Sequence, residues 1–158
     1  MDSEARNAYA AGLELLFDDI EPGAETPAYA VVMTAETIRA YAAAIGDDNP
    51  IHRDEAAAKA AGYPGLVAPP ATVGIYARIS NLLGAYNPKR KPPPGVIHAG
   101  QVFEFSGLML AGDTIVSRGR VLEKAIRKER KFVTFETLHD NQHGQRVARG
   151  EISVIWPK

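Results

Sequence analysis

Hydrophobic and polar positions change their rhythm once along this chain, near residue 95. Before that point apolar residues recur every three or four positions, the spacing of helices with one buried face. After it they fall in longer β-branched runs, the mark of strands. Residues 3–17, with Leu13, Leu15, Leu16 and Phe17, predict a short helix that ends in a turn at 18–23. Tyr29 to Met33 is apolar and β-branched and predicts a strand. Thr34 is placed to cap the next helix, with Glu36 in its first turn. Ile38, Tyr41, Ala42 and Ile45 share one face of that helix and are predicted to point inward, and Gly46 stops it. Asp54 caps a second helix over Glu55 to Ala61, which Gly62-Tyr63-Pro64-Gly65 breaks. Leu66 to Pro70 leads into a longer helix at about 70–85, carrying Val73, Ile75, Tyr76, Ile79, Leu82 and Leu83. A helix apolar on most sides is a buried one, and Ala71, Gly74 and Ala77 keep it slim.

Four strands are predicted beyond residue 95: Val96 to Phe105, Thr114 to Ile126, Lys131 to Asp140 and Val147 to Trp156. Val133, Phe135, Thr137 and His139 alternate with Thr134, Glu136 and Leu138, so this sheet has two unlike faces. The links at Gly112-Asp113, Arg127 to Arg130 and Asn141 to Gly144 are short. They predict antiparallel meander neighbours. Helices first and antiparallel strands afterwards define an α+β domain, with a sheet curled around one long buried helix.

One stretch carries candidate chemistry. Gly46-Asp47-Asp48-Asn49-Pro50-Ile51-His52 sets a carboxylate and an imidazole five residues apart across a turn-forming segment. Pro50 has no N–H to continue a helix. A helix end followed by a rigid bend can aim Asp47 and His52 at one small volume, where a water molecule is deprotonated. The bland reading takes Asp47 as a helix-terminal turn residue and Asn49-Pro50 as a plain turn. The remaining histidines lack such a context. His98 reads as a structural strand residue, and His139 and His143 as solvated residues flanking a turn.

Composition narrows the function classes. At 158 residues one domain with a substantial core is expected. A hydrophobic share of 46% and a charged share of 23% are ordinary for a soluble globular protein. A net charge of −1 argues against general binding of nucleic acid or of anionic membranes. The absence of cysteine excludes disulfides, thiolate nucleophiles and cysteine-ligated metals. The histidine spacing gives no metal motif, and no glycine-rich phosphate loop or dinucleotide fingerprint is present. No apolar run reaches the ~18 residues of a membrane span. The acidic Met1-Asp2-Ser3-Glu4 is unlike a signal peptide, so a cytoplasmic location is expected. Lys89-Arg90-Lys91 and Arg127 to Lys131 read first as solvated turns, with contact to substrate phosphates as the alternative. Tyr63, Tyr76 and Tyr86 read as packing residues rather than acids.

The string Gly-Asp-x-Asn-Pro-Ile-His at 46–52 resembles the MaoC-like family of (R)-specific enoyl-CoA hydratases and dehydratases. Phe17 to Gly23, Thr34 to Ile45, Ala56-Ala57 and Gly112-Asp113-Thr114 share in that resemblance, which spans about 17–156 and leaves 1–16 as an extension. It implies a hot-dog fold, an antiparallel sheet wrapped around a long central helix. It implies a homodimer, or a dimer of two hot-dog units, with sites at the interface. It further implies addition of water to, or its removal from, an acyl thioester carried by CoA or acyl carrier protein, with no separate cofactor. Asp47 and His52 match the catalytic pair, and Asn49 lies in the same motif, where it braces the loop. Many relatives open the central helix with His-Gly, where a backbone N–H polarises the thioester carbonyl. Here Ala68-Pro69-Pro70-Ala71 stands instead, and neither proline has an N–H. The donor is then expected at Ala71 or Thr72, so Asn49, Ala71 and Thr72 are the candidate substrate-binding positions. Two other functions stay open on these residues. One is a hot-dog thioesterase that uses Asp47, and the other is a non-catalytic acyl-thioester-binding subunit that needs a partner chain.

Overall fold

The computed structural model describes residues 13–77 and 90–157. A short strand β1 (Leu13–Glu14) opens it, followed by one 3-10 turn at Phe17–Asp19. The helix predicted over 3–17 is therefore corrected where it can be seen, and its first residues lie outside the described ones. Tertiary pairing overrides the local pattern: β1 runs parallel to β3 (Arg90–Lys91), and the Leu15 N–H donates to the Lys91 carbonyl at 2.8 Å. This turns Leu15, Phe17 and Ile20 into the core. The cluster they join includes Val121, Val133, Phe135, Ile152, Val154 and Trp156. Each such side chain stabilises the fold by about 1.5–3 kcal/mol on burial.

Next come β2 (Tyr29–Val32) and the helices α1 (Ala35–Ala44) and α2 (Glu55–Ala60). The Thr34 hydroxyl accepts from the Thr37 N–H, and the Asp54 carboxylate accepts from the Ala57 N–H, as the caps predict. Ile38 and Ala42 are buried on α1, but Ile45 is 48% exposed, contrary to the inward face predicted for it. Ile45 is already the C-cap, where the chain leaves helical geometry and the 3.6-residue repeat no longer holds. The central helix begins as a 3-10 turn at Pro70–Thr72 and continues as α3 (Val73–Tyr76). Its predicted continuation over 78–85 lies outside the described residues. Among the described residues, no helix is long and apolar enough to cross a membrane.

The remaining strands are β4 (Ile97–Phe105), β5 (Thr114–Arg127), β6 (Arg130–Asp140) and β7 (Arg146–Trp156). They form an antiparallel sheet in the order β2-β5-β6-β7-β4. β5, β6 and β7 are the predicted meander. β4 is not β5's neighbour, as the short Gly112-Asp113 link had suggested. It pairs with β7, and the chain crosses the sheet to reach β5. The crossing segment is fixed by backbone bonds: Ala68 N–H to Met109 O at 2.8 Å, Ala111 N–H to Leu66 O at 2.9 Å, and Gly112 N–H to Met33 O at 2.8 Å.

The β5–β6 hairpin turns through Lys128 and Glu129, both at positive φ (48° and 63°). Two left-handed residues match the twist of the flanking strands. The register slips at Leu122, and such a bulge bends a long strand. Gly150 of β7 sits where a Cβ would overlap the Phe103 ring and lie 2.6 Å from the Thr137 hydroxyl. On the other face, Glu136 is nearly buried yet accepts from Arg120 and from Arg149 (2.9 Å to its Nε). Burial pushes this carboxyl up, the two guanidinium groups pull it down, and the net is below its ordinary value.

Candidate active site

The site begins at the end of α1. The Gly46 N–H donates to Ala43 O at 3.2 Å and the Asp47 N–H to Ala42 O at 2.9 Å, while Gly46 adopts φ 70°. This is a Schellman termination, for which glycine is the least strained choice. It delivers Asp47 directly after the glycine stop. Asp47 Oδ1 then accepts from the Asn49 N–H at 3.0 Å. Asn49 Oδ1 accepts from the Ile51 N–H at 3.3 Å and caps the 3-10 turn Pro50–His52. The bend is thus self-bracing, and the Asn49 side chain is exposed and serves it directly.

His52 closes the arrangement. It is 5% exposed, and its Nδ1 lies 2.6 Å from the Val67 carbonyl oxygen. A carbonyl only accepts, so Nδ1 carries the hydrogen and a neutral ring presents the Nε2 lone pair. Nε2 lies 3.5 Å from Asp47 Oδ2. Two acceptors so placed can both be served by one water, which donates a hydrogen to each. The Val67 N–H donates to Ile51 O at 3.1 Å, which ties the bend to the segment leading into the central helix.

A cleft of about 530 Å³ opens beside the imidazole. Its lining is mostly apolar and includes Ile51, Val67, Pro69, Phe105, Leu108 and Met109. Among the described residues its polar lining is His52, Tyr63, Ser106 and Tyr76, with no lysine or arginine. This volume suits a small-molecule site.

Of the two positions proposed as carbonyl donors, Thr72 is engaged within its own turn. Its N–H and its hydroxyl both donate to Pro69 O, at 2.9 and 2.7 Å. The Ala71 carbonyl accepts from the Tyr41 hydroxyl at 2.6 Å, which fastens the start of the central helix to α1. The Ala71 N–H makes no hydrogen bond to a described residue.

The prediction that His139 is solvated is corrected. It is fully buried, between the Ser117 hydroxyl (2.8 Å from Nδ1) and the Thr137 hydroxyl (2.9 Å from Nε2). Burial lowers its imidazole to about 4; Arg146 acts in the same direction and Asp140 against it. The alternation with Val133 and Phe135 in β6 already placed it on the inner face. His98 is exposed on β4, and His143 is exposed at the β6–β7 turn. The basic hairpin tip at Arg127–Arg130 stands at the far end of β5, about 45 Å of strand beyond Thr114. None of the residues 127–130 lines the His52 cleft of its own chain. Arg90 pairs with Asp19, and Lys89 lies outside the described residues. Among the described residues, no cluster of histidine and acidic side chains has metal-binding geometry.

Residues 21–150 match the family described as FAS1-like, dehydratase domain region. A UPF0336 protein of Parafrankia is 36% identical over 127 residues, covering 76% of this chain and 80% of that one. The unliganded R-hydratase PhaJ1 of Pseudomonas aeruginosa superposes with a TM-score of 0.72 at 27% identity, over 92% of this chain and 87% of that one. A C-terminally truncated HadBC complex of Mycobacterium tuberculosis, a 3R-hydroxyacyl-ACP dehydratase, gives 0.74 at 26%, over 85% and 96%. These likenesses show the hot-dog fold that the sequence motif implies. The chain belongs to the MaoC-like dehydratase and hydratase family.

Proposed function

We propose that this protein is a hydro-lyase acting on the double bond of an enoyl thioester, as an (R)-specific enoyl-CoA hydratase or 3-hydroxyacyl thioester dehydratase. The observation that carries this reading is the orientation of His52. Its Nδ1–H is held by the Val67 carbonyl, so Nε2 faces Asp47 Oδ2 across 3.5 Å. In the hydration direction, one water donates to both groups. Its oxygen bonds to the β-carbon as His52 Nε2 takes one of its protons, and the π electrons move onto the thioester as an enolate. The α-carbon then receives a proton from the imidazolium, which returns His52 to its starting state. Each well-placed acid–base group contributes typically ~10²–10⁴-fold. The enolate oxygen needs a donor, and the Ala71 N–H at the start of the central helix is the group assigned to it. Asn49 holds the bend, and no cofactor is needed beyond the pantetheine arm of the substrate.

The working unit in this proposal is a homodimer. β4 is an edge strand with β7 as its neighbour, and it exposes Ile97, Val102 and Phe105. Phe105 and Leu108 are both about half exposed and also line the cleft, so a second copy paired along β4 would border the site. An unpaired apolar edge of this length invites such pairing. The deciding assay follows enoyl-CoA absorbance and free thiol together. Loss of the enone signal without thiol release supports hydration. Thiol release would make the protein a thioesterase. Activity only after addition of a second, different hot-dog chain would make it a binding subunit.

A further inference from the structure

Tyr76 is anchored at every point but one. Its backbone carbonyl accepts from the Tyr29 hydroxyl. Its ring meets the edge of His139 in a T-shaped contact, with centroids 4.8 Å apart. His139 cannot serve the phenol as well, because Ser117 and Thr137 occupy both of its ring nitrogens. The Tyr76 hydroxyl makes no hydrogen bond to a described residue, although the side chain is 1% exposed and lines the cleft beside His52. A phenol that a bound ligand covers without giving it a partner is costly, by the same physics that makes it selective for a ligand that supplies one. Burial also pushes this phenol above its ordinary range, so it stays protonated and acts as a donor. The residue lies five positions beyond Ala71, roughly 8 Å further along the helix axis. It is therefore placed to meet the acyl tail rather than the thioester.

We propose that Tyr76 is a specificity-determining residue, whose hydroxyl donates a hydrogen bond to a neutral oxygen on the acyl tail, a keto or hydroxyl group beyond the reacting double bond. The inference rests on the hydratase reading above and adds the class of substrate. No described residue lining the cleft is a lysine or arginine, so none of them offers a charge partner to a terminal carboxylate. A wholly aliphatic tail fits poorly, since it would leave the phenol unpaired.

The test compares pairs of enoyl-CoA thioesters of equal tail length, one plain and one with a single carbonyl moved stepwise along the tail. With the native protein, kcat/KM for the best keto substrate should exceed that of its plain partner about 10- to 100-fold. In Tyr76→Phe this ratio should collapse towards one. A native ratio near one at every carbonyl position overturns the proposal, and so does a ratio that persists in Tyr76→Phe. Should the variant fail to fold, the native ratio alone decides. If neither member of any pair is hydrated, the hydratase reading falls. Calorimetric binding of the matching saturated acyl-CoA pairs then tests Tyr76 without any reaction, with the same fold-preference expected and its absence overturning the role.

Discussion

Asp47 Oδ2 and His52 Nε2 face each other across 3.5 Å with their other sides already engaged, Asp47 by the Asn49 N–H and His52 by the Val67 carbonyl. Each group is therefore held in orientation by the backbone rather than by its partner. Removing one should leave the other in place. Asp47→Asn and His52→Ala are each expected to lower kcat for enoyl-CoA hydration by about 10²–10⁴-fold. The double variant should fall by much less than the product, because both groups act on one water. Native rates in either single variant would sink the assignment, and steady-state kinetics with a thermal-unfolding control reads the result.

The donor at the start of the central helix is tested by removing one hydrogen. Ala71→Pro deletes the N–H in a turn that already begins Pro69-Pro70. Loss of one such donor is expected to cost about 10²–10³-fold in kcat. Thr72→Val removes a hydroxyl directed at the Pro69 carbonyl instead, so it should lower stability by about 1 kcal/mol and spare the rate. If the two variants behave alike in kinetics, the carbonyl is held by another group.

His139 makes stability depend on pH. Its folded value of about 4 lies below the ordinary 6.5. Between these values the unfolded chain binds a proton that the folded chain does not, so stability is full above pH 6.5 and falls as pH drops towards 4. The loss reaches up to about 3 kcal/mol. Glu136 acts in the same direction, but its folded value lies below 4.5, so its contribution is lost only at lower pH. Melting curves from pH 7.5 down to pH ~4.5 therefore isolate His139. His139→Asn is expected to flatten them, and an unchanged slope would move the origin elsewhere.

The exposed edge of β4 predicts the oligomeric state. Val102 is 65% exposed near the middle of the strand. A lysine there places a strongly hydrated charge on the edge, a device by which natural sheets avoid pairing. Val102→Lys should shift the protein from dimer to monomer in sedimentation. Hydration should fall with it, because Phe105 and Leu108 would lose their cover. A native protein that sediments as a monomer at full activity would dismiss the dimer.

Local chemistry is what the sequence determined by itself. The caps at Thr34 and Asp54, the left-handed stop at Gly46, the braced bend from Asp47 to His52 and the β5-β6-β7 meander all depend on residues close in the chain. A glycine stop or an Asn side chain on a nearby N–H has the same physics wherever it occurs. Tertiary structure decided everything that needs a distant partner. Leu13 and Glu14 become strand because β3 offers unpaired backbone groups beside them. β4 leaves β5 because β7 completes its hydrogen bonds, which no local spacing reveals. The tautomer of His52 is set by Val67, fifteen residues away, and the open hydroxyl of Tyr76 by the two neighbours that saturate His139. The bend is a local object, but its conversion into a site is a matter of which remote carbonyls and rings the fold brings against it.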